Sequence, residues 1–227
     1  MKPKPYNFIS NEWSQERYDK NILYNSQGIH QPTGRHKTNS STEQFKEIIP
    51  YIKEKNNALD IGARWGSFTV QLHKFGFAHV YMAELRDIHM VGVSYNVDMK
   101  RATMYNVPIM DRSRNISTVQ KSVTNLKEGN TKSFSIDDLE IENVNFIKID
   151  VDGPDRLVLR GGLKTIRKYK PVIYIEYGEE QIKWEKTHLN IKTPNKKHFW
   201  YETLGDSYTS IDCKVEPNNI MLIPKNN

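Results

Sequence analysis

The stretch FIKIDVDGPD, Phe146 to Asp155, constrains this chain more than any other. An apolar β-type run ends in two aspartates, Asp150 and Asp152, and a glycine, Gly153, then passes into a helical pattern opened by Pro154. Open α/β sheets present acids in this way at the carboxyl ends of their strands, where ligands bind. A second stretch, ALDIGARWGSFTV from Ala58 to Val70, leaves its strand similarly, with Asp60, Gly62 and Gly66 at the turn. Two such strand ends in one chain predict a cofactor site with a reaction site beside it.

The surrounding pattern alternates strand and helix. Strands are expected at Ala58 to Ile61, His79 to Ala83, Ala102 to Tyr105, Asn145 to Ile149 and Pro171 to Glu176, with two more near Trp200 to Leu204 and Ile220 to Ile223. Helices are expected at Gly66 to Phe75, Ile88 to about Met99, and Pro154 to Tyr169. Another starts at Ser40 or Ser41, where a hydroxyl precedes Glu43 or Gln44 in a capping-box pattern, and ends or kinks at Pro50. The polar segment Asp111 to Lys132 reads as loop with a short strand, and Glu179 to Lys197 stays unassigned. Repeated β-α units predict a mostly parallel sheet with helices on both faces. Residues 1–40 read as a loop-rich arm with a short helix near Glu12 to Tyr18, and residues 41–227 as the domain proper. Within the arm, QGIHQPTGRHK is a candidate lid, an ordinary flexible terminus being the alternative.

Composition excludes several classes. A 37% hydrophobic and 26% charged chain reads as globular rather than disordered. No apolar run is long enough to span a bilayer, and the opening MKPKPYNFISNEW lacks a signal-peptide core, so the cytoplasm is the expected compartment. The single cysteine, Cys213, excludes an internal disulfide and a cysteine-cluster zinc site. A net charge of +6 favours an anionic partner, whether nucleic acid, a phosphorylated sugar or an acidic glycan, or simply reflects a lysine-rich solubilising surface.

The loop DIGARWG is neither a full dinucleotide fingerprint nor a P-loop. Glu84, at the end of the next strand, is placed to accept two ribose hydroxyls. A glycine turn followed by a ribose acid suits an adenosyl cofactor without a pyrophosphate, and S-adenosylmethionine fits. Asp60 would then face the cofactor's cationic amino-acid end, brace the glycine loop, or do both.

These motifs together resemble the FkbM-type class I methyltransferases. The family's DIGANxGxxT loop corresponds to DIGARWGSFT, its strand-end glutamate to Glu84 in VYMAELRD, and its FIKIDVEGAE signature to Phe146–Asp155. A T-L-D-D-L-like segment corresponds to Ser135–Leu139, a V-L-x-G-A segment to Val158–Gly162, a P-V-x-x-x-E strand to Pro171–Glu176, and a closing N-x-x-x-x-P to Asn219–Pro224. Three positions depart from the pattern: Arg64 stands for asparagine, Leu85 for proline and Asp152 for glutamate. The resemblance implies a Rossmann-like class I methyltransferase sheet of about seven strands with the last antiparallel. It implies S-adenosylmethionine as cofactor, held by Asp60, Gly62, Ala63, Gly66, Ser67, Glu84, Asn106 and Asp150. It also implies an acceptor among small molecules and carbohydrates.

Methyl transfer to an alcohol is an in-line displacement that needs positioning and a base. Asp150, Asp152 and Glu176 lie nearest the expected methyl position. Either one of them is the base, or together they hold a divalent ion such as Mg²⁺ that lowers the acceptor's pKa. Asp150 and Asp155 alternatively cap the following helix. His188 is a further candidate base, ahead of the other loop-like histidines His30, His36 and His198. Trp184, Trp200 and Tyr201 are candidates for stacking on a sugar or base, or for covering a core edge. An RNA ribose 2′-O-methyltransferase is the main competing reading. The D/N-P-P-Y/F motif of amino-directed DNA enzymes is absent, and Asp212 rather than proline precedes Cys213. A non-catalytic binding module is the third reading, opposed by the intact Asp60, Glu84 and DVDG.

Overall fold

Alternation along the chain builds two cores on the faces of one sheet. The computed structural model describes residues 2–6, 38–86, 89–90, 93, 97–119, 122–126, 129–192 and 195–225. Its strands are β1 (Asn57–Ile61), β2 (His79–Ala83), β3 (Ala102–Tyr105), β4 (Arg114–Val119), β5 (Ser122–Asn125), β6 (Thr131–Ser133), β7 (Val144–Ile149), β8 (Val172–Glu176), β9 (Tyr208–Asp212) and β10 (Asn219–Pro224). The main sheet has seven strands in the order β3-β2-β1-β7-β8-β10-β9. The five from β3 to β8 are parallel, and β10 runs antiparallel to both β8 and β9. The described helices are α1 (Thr38–Ile48), α2 (Ser67–Lys74), α3 (Asp155–Arg160), α4 (Leu163–Tyr169), α5 (Glu179–His188) and α6 (Lys196–Leu204).

Leu59, Ile147, Ile149 and Ile173 point to one face, where Val158, Ile166 and Phe199 of the helices cover them. Ala58, Phe146, Val80 and Tyr174 point to the other, beneath Phe45 of α1 and Phe68 and Leu72 of α2. Strands buried on both faces read as near-continuous apolar runs, which is why the central strands were legible. The order reverses between β1 and β7, and the cleft of an open sheet lies outside the carboxyl ends at such a point.

Several sequence expectations need correction. Residues 154–169 form two helices, because Gly161 and Gly162 interrupt them. A Cβ on Gly161 would stand 2.0 Å from the Met110 carbonyl oxygen, so the chain bends where backbone meets backbone. Trp200 to Leu204 is helix rather than strand, with Phe199 and Trp200 buried, and the edge strand is β9. A short apolar run does not by itself tell strand from buried helix. Asp111 to Ser133 carries a separate antiparallel sheet, β5-β4-β6, whose strands are mostly polar; among their described side chains Ile116 and Ser133 are fully buried. Most of Glu179 to Lys197 is helical, through α5 and the start of α6. The first described helix starts at Thr38, so Ser40 and Ser41 lie inside it; it stops at Ile48, where Pro50 enters a 3₁₀ turn.

The helix expected from Ile88 falls largely outside the described residues, as do the Glu12–Tyr18 helix and the candidate lid. Near the start of the chain, the Tyr6 N–H donates to the Met104 carbonyl of the edge strand β3 at 2.6 Å. Among the described residues, no helix is long and apolar enough to cross a membrane.

Candidate active site

A cleft of about 420 Å³ opens at the carboxyl ends of β1, β2 and β7. Gly62, Glu84, His89, Ile109, Val123 and Asp150 mark its circumference.

The glycine loop is held by backbone. The N–H groups of Gly62 and Ala63 both donate to the Ala83 carbonyl, at 2.9 and 3.2 Å. Gly62 has φ +83°, and a Cβ there would fall 1.7 Å from the Asp150 carbonyl oxygen. Gly66 precedes α2 with φ +77°. Only glycine fits such positions without strain. Ala63 and Ser67 complete the loop's cleft wall.

Glu84 is almost fully buried at the wall. Its Oε2 accepts the Arg64 N–H at 2.8 Å, and its Oε1 accepts the Arg86 N–H at 2.7 Å. Burial alone would raise its pKa; the neighbouring His89 and the two N–H groups outweigh burial and hold it below the ordinary glutamate value. An ionised carboxylate at a strand end beside a glycine turn has the acceptor capacity that a ribose diol requires. The residues present therefore fit an adenosyl group. Asn106 acts one step back: its amide donates to the Glu84 and Leu85 carbonyls at 3.0 and 3.3 Å and ties β3 to the strand end that carries Glu84.

Asp60 is completely buried behind the wall. Its Oδ2 accepts the Thr69 hydroxyl at 2.7 Å and its Oδ1 lies 3.4 Å from the Lys148 ammonium. The bracing role weighed for it is the one its contacts serve. Lys148 was missed by the sequence reading. On β7 it shares a face with Phe146 and Asp150, and its ammonium donates to the Gly62 carbonyl at 2.7 Å and lies 3.3 Å from Asp150. Burial would lower its pKa, but Asp150 and Asp60 raise it well above the ordinary lysine value. The detectable signal was a lysine inside an apolar strand, two positions before an acid and so on the same face. A lysine is almost never fully buried unless paired.

At the far end, carboxylate oxygens of Asp150, Asp152 and Glu176 lie within 4.8 Å of one another. Asp152 has φ +56°, and its carboxylate stands 4.0 Å from the Arg86 guanidinium. Burial and then the Asp150 charge raise its pKa, against the pull of Arg86. Glu176 accepts the Gln181 amide at 2.7 Å. Burial, then Asp150 and Asp155, push it up to about 8. Asp155 is fully buried and accepts the N–H groups of Val151 and Gly153, closing the DVDG turn onto α3. Burial and the Asp150 charge push it up to about 7, against those two hydrogen bonds.

The histidine and aromatic expectations fare differently. His188 does not line the cleft. Its ring stacks on Trp184 at 4.5 Å, and its Nδ1 lies 3.0 Å from the Trp184 carbonyl, one turn back in α5. Trp184 packs under Gly153, where a Cβ would meet the indole at 2.6 Å. Trp200 is core, while the exposed Tyr201 donates its hydroxyl to Asp206. His30 and His36 lie outside the described residues, as does the side chain of His198.

The model of the methyltransferase FkbM domain matches residues 3–206. The chain belongs to the FkbM methyltransferase family. The match takes in nearly all of residues 1–40, read above as an arm. Among solved structures, the methyltransferase FkbM from Methylobacillus flagellatus KT is similar to this FkbM chain, with 14% identity over 95% of it and a TM-score of 0.51. The match covers 61% of that longer protein. An O-methyltransferase from Bacillus cereus in complex with SAH is 15% identical, over 96% of this chain and 94% of its own, with a TM-score of 0.48. Likenesses this distant bear on the fold alone. No curated protein matches the chain.

Proposed function

We propose that this chain is an S-adenosylmethionine-dependent O-methyltransferase acting on a hydroxyl of a sugar, glycan or other small molecule. The observation that carries the reading is the two-ended cleft. A glycine loop and Glu84 line one part of it and Asp150 and Asp152 another, with Glu176, outside the lining, converging on that acid pair. The bound cofactor supplies an electrophilic methyl group. Glu84 accepts the ribose hydroxyls, and the loop backbone of Gly62, Ala63 and Ser67 seats the rest of the cofactor. Asp60 supports that loop from behind through Lys148. The acceptor lies between Asp152 and the overhanging Val123, and one carboxylate of the Asp150, Asp152 and Glu176 group takes its hydroxyl proton as the new C–O bond forms. The products are a methyl ether and S-adenosylhomocysteine. The same three oxygens are the hard donors that Mg²⁺ prefers, so metal assistance is the alternative use of that group. In this reading residues 41–227 form the catalytic domain and residues 1–40 an N-terminal arm.

The test is calorimetric titration of S-adenosylmethionine into wild type and Glu84→Ala, with and without Mg²⁺, followed by an acceptor screen of sugars against RNA. Losing charge-assisted hydrogen bonds to the ribose should cost the variant about 1.5–3 kcal/mol for each bond. Methylation of RNA ribose in place of sugars would replace the acceptor class. Tight binding with no methylation of any acceptor would favour a binding module.

A further inference from the structure

His89 is a buried histidine to which none of the roles above has been given. It is 7% exposed and lies at the cleft wall in the segment after β2, where its backbone N–H donates to the Arg86 carbonyl at 3.0 Å. One ring face packs tilted against Trp65, centroids 4.6 Å apart. Its Nδ1 is fully buried and lacks a well-formed hydrogen bond, yet it points at Glu84 Oε2 from 3.4 Å. Leaving a buried ring nitrogen short of a partner is costly. The group it faces is the one acid expected to receive the ribose.

We propose that His89 is a positioning residue for the cofactor's ribose: its Nδ1 keeps the Glu84 carboxylate ionised and aimed into the cleft. The inference rests on the S-adenosylmethionine reading above.

Glu84 is 8% exposed, so its charged form has little water. Among the described residues, its partners are the Arg64 N–H from the glycine loop, the Arg86 N–H after β2, and His89. The Arg86 guanidinium lies beside Asp152, across the cleft from this pair. Both backbone donors are main-chain N–H groups, which a side-chain substitution at His89 does not remove. The imidazole is the one side chain of the three, and so the only one that a substitution can remove. A protonated Glu84 would donate from one oxygen and could no longer accept both ribose hydroxyls. Supporting this, the His89 contact is among the interactions that keep Glu84 below the ordinary glutamate value despite its burial.

The experiment measures binding of S-adenosylmethionine and S-adenosylhomocysteine by calorimetry between about pH 8 and about pH 5, where the ordinary glutamate and histidine titrations fall. It compares wild type, His89→Phe, His89→Gln and Glu84→Gln. Phenylalanine keeps the packing against Trp65 and removes the donor; glutamine keeps an N–H donor. The wild-type affinity is expected to stay nearly level over this range. The affinity of His89→Phe should fall with acidification, approaching about tenfold per pH unit at the acid end. His89→Gln should restore much of the level profile, and Glu84→Gln should bind weakly with no pH dependence. A ¹³C titration of the Glu84 carboxylate without ligand should show its midpoint moving up in His89→Phe. Matching pH profiles for wild type and His89→Phe, both binding, would overturn the inference and leave His89 as a packing partner of Trp65. If His89→Phe does not fold, the same comparison is made on His89→Gln and His89→Asn. Identical profiles there, with no movement of the carboxylate midpoint, overturn it equally. Wild type that binds neither ligand at any pH would instead sink the cofactor reading, and this inference with it.

Discussion

The two ends of the cleft are built in opposite ways. At the cofactor end, Gly62, Ala63 and Glu84 are held by backbone donors and by contacts too close to admit a Cβ. At the acid end, Asp150 and Asp152 are partly exposed, Glu176 has one side-chain partner, and the pKa values of Asp152 and Glu176 are raised. The first end is fixed by sterics, the second poised by charge. Binding needs a fixed shape, whereas proton removal needs a carboxylate whose affinity for the proton exceeds that of a free acid.

The comparison can be broken most severely at Gly62. Gly62→Ala should fail to fold or lose tens of degrees of thermal stability, since its Cβ would overlap the Asp150 carbonyl and the backbone is left-handed. A near-wild-type melting curve would show that the loop is not sterically fixed.

Next in size is Lys148, which joins the two ends. Lys148→Met leaves Asp60 buried without its cation, a loss of about 3–5 kcal/mol in urea unfolding. The double variant with Asp60→Asn should recover part of that loss. Equal stability of single and double variants would mean the pair carries no coupling.

The acid end should show itself in pH dependence. Glu176 and Asp155 have raised folded-state values, about 8 and about 7, so each favours the folded state fully only below its unfolded value. That contribution is lost as pH rises from the ordinary carboxylate range through those values. Melting temperature should therefore decline between about pH 5 and about pH 8. Glu176→Gln should flatten the decline, and an unchanged slope would remove Glu176 from the coupled group.

The smallest effect is expected at His188. His188→Ala should change methylation by less than about threefold, within the ±0.5 kcal/mol of an ordinary surface change. A loss of about a hundredfold or more would return it to the reaction as a base, the general acid–base contribution being of that order.

Legibility in the sequence followed burial. Four of the five parallel strands, β1, β2, β7 and β8, end at or just before Gly62, Glu84, Asp150 and Glu176, so their positions and the two acid-bearing strand ends at β7 and β8 could be read directly. The small sheet β5-β4-β6 could not, because its strands are largely polar and carry no apolar run to mark them, although they pair locally, Val119 opposite Ser122 and Ile116 opposite Thr131. The α6 error came from three apolar or aromatic residues in a row, Phe199 to Tyr201, which fit a strand as well as a buried turn of helix. His188 looked available because its neighbours in sequence are polar; its stacking on Trp184 follows from the segment being the helix α5, in which the two residues stand one turn apart.

By itself, the sequence determined the sheet type, the glycine loop, the glutamate that follows β2 and the acids at the β7 and β8 ends. Each is a local pattern in which residue type and strand periodicity suffice. Only the tertiary structure decided that Asp60 turns inward to Lys148, that Glu176 joins Asp150 and Asp152, and that His89 meets Glu84. Those pairings join residues from different elements, and a charge's role depends on which opposite charge and how little water the fold places beside it.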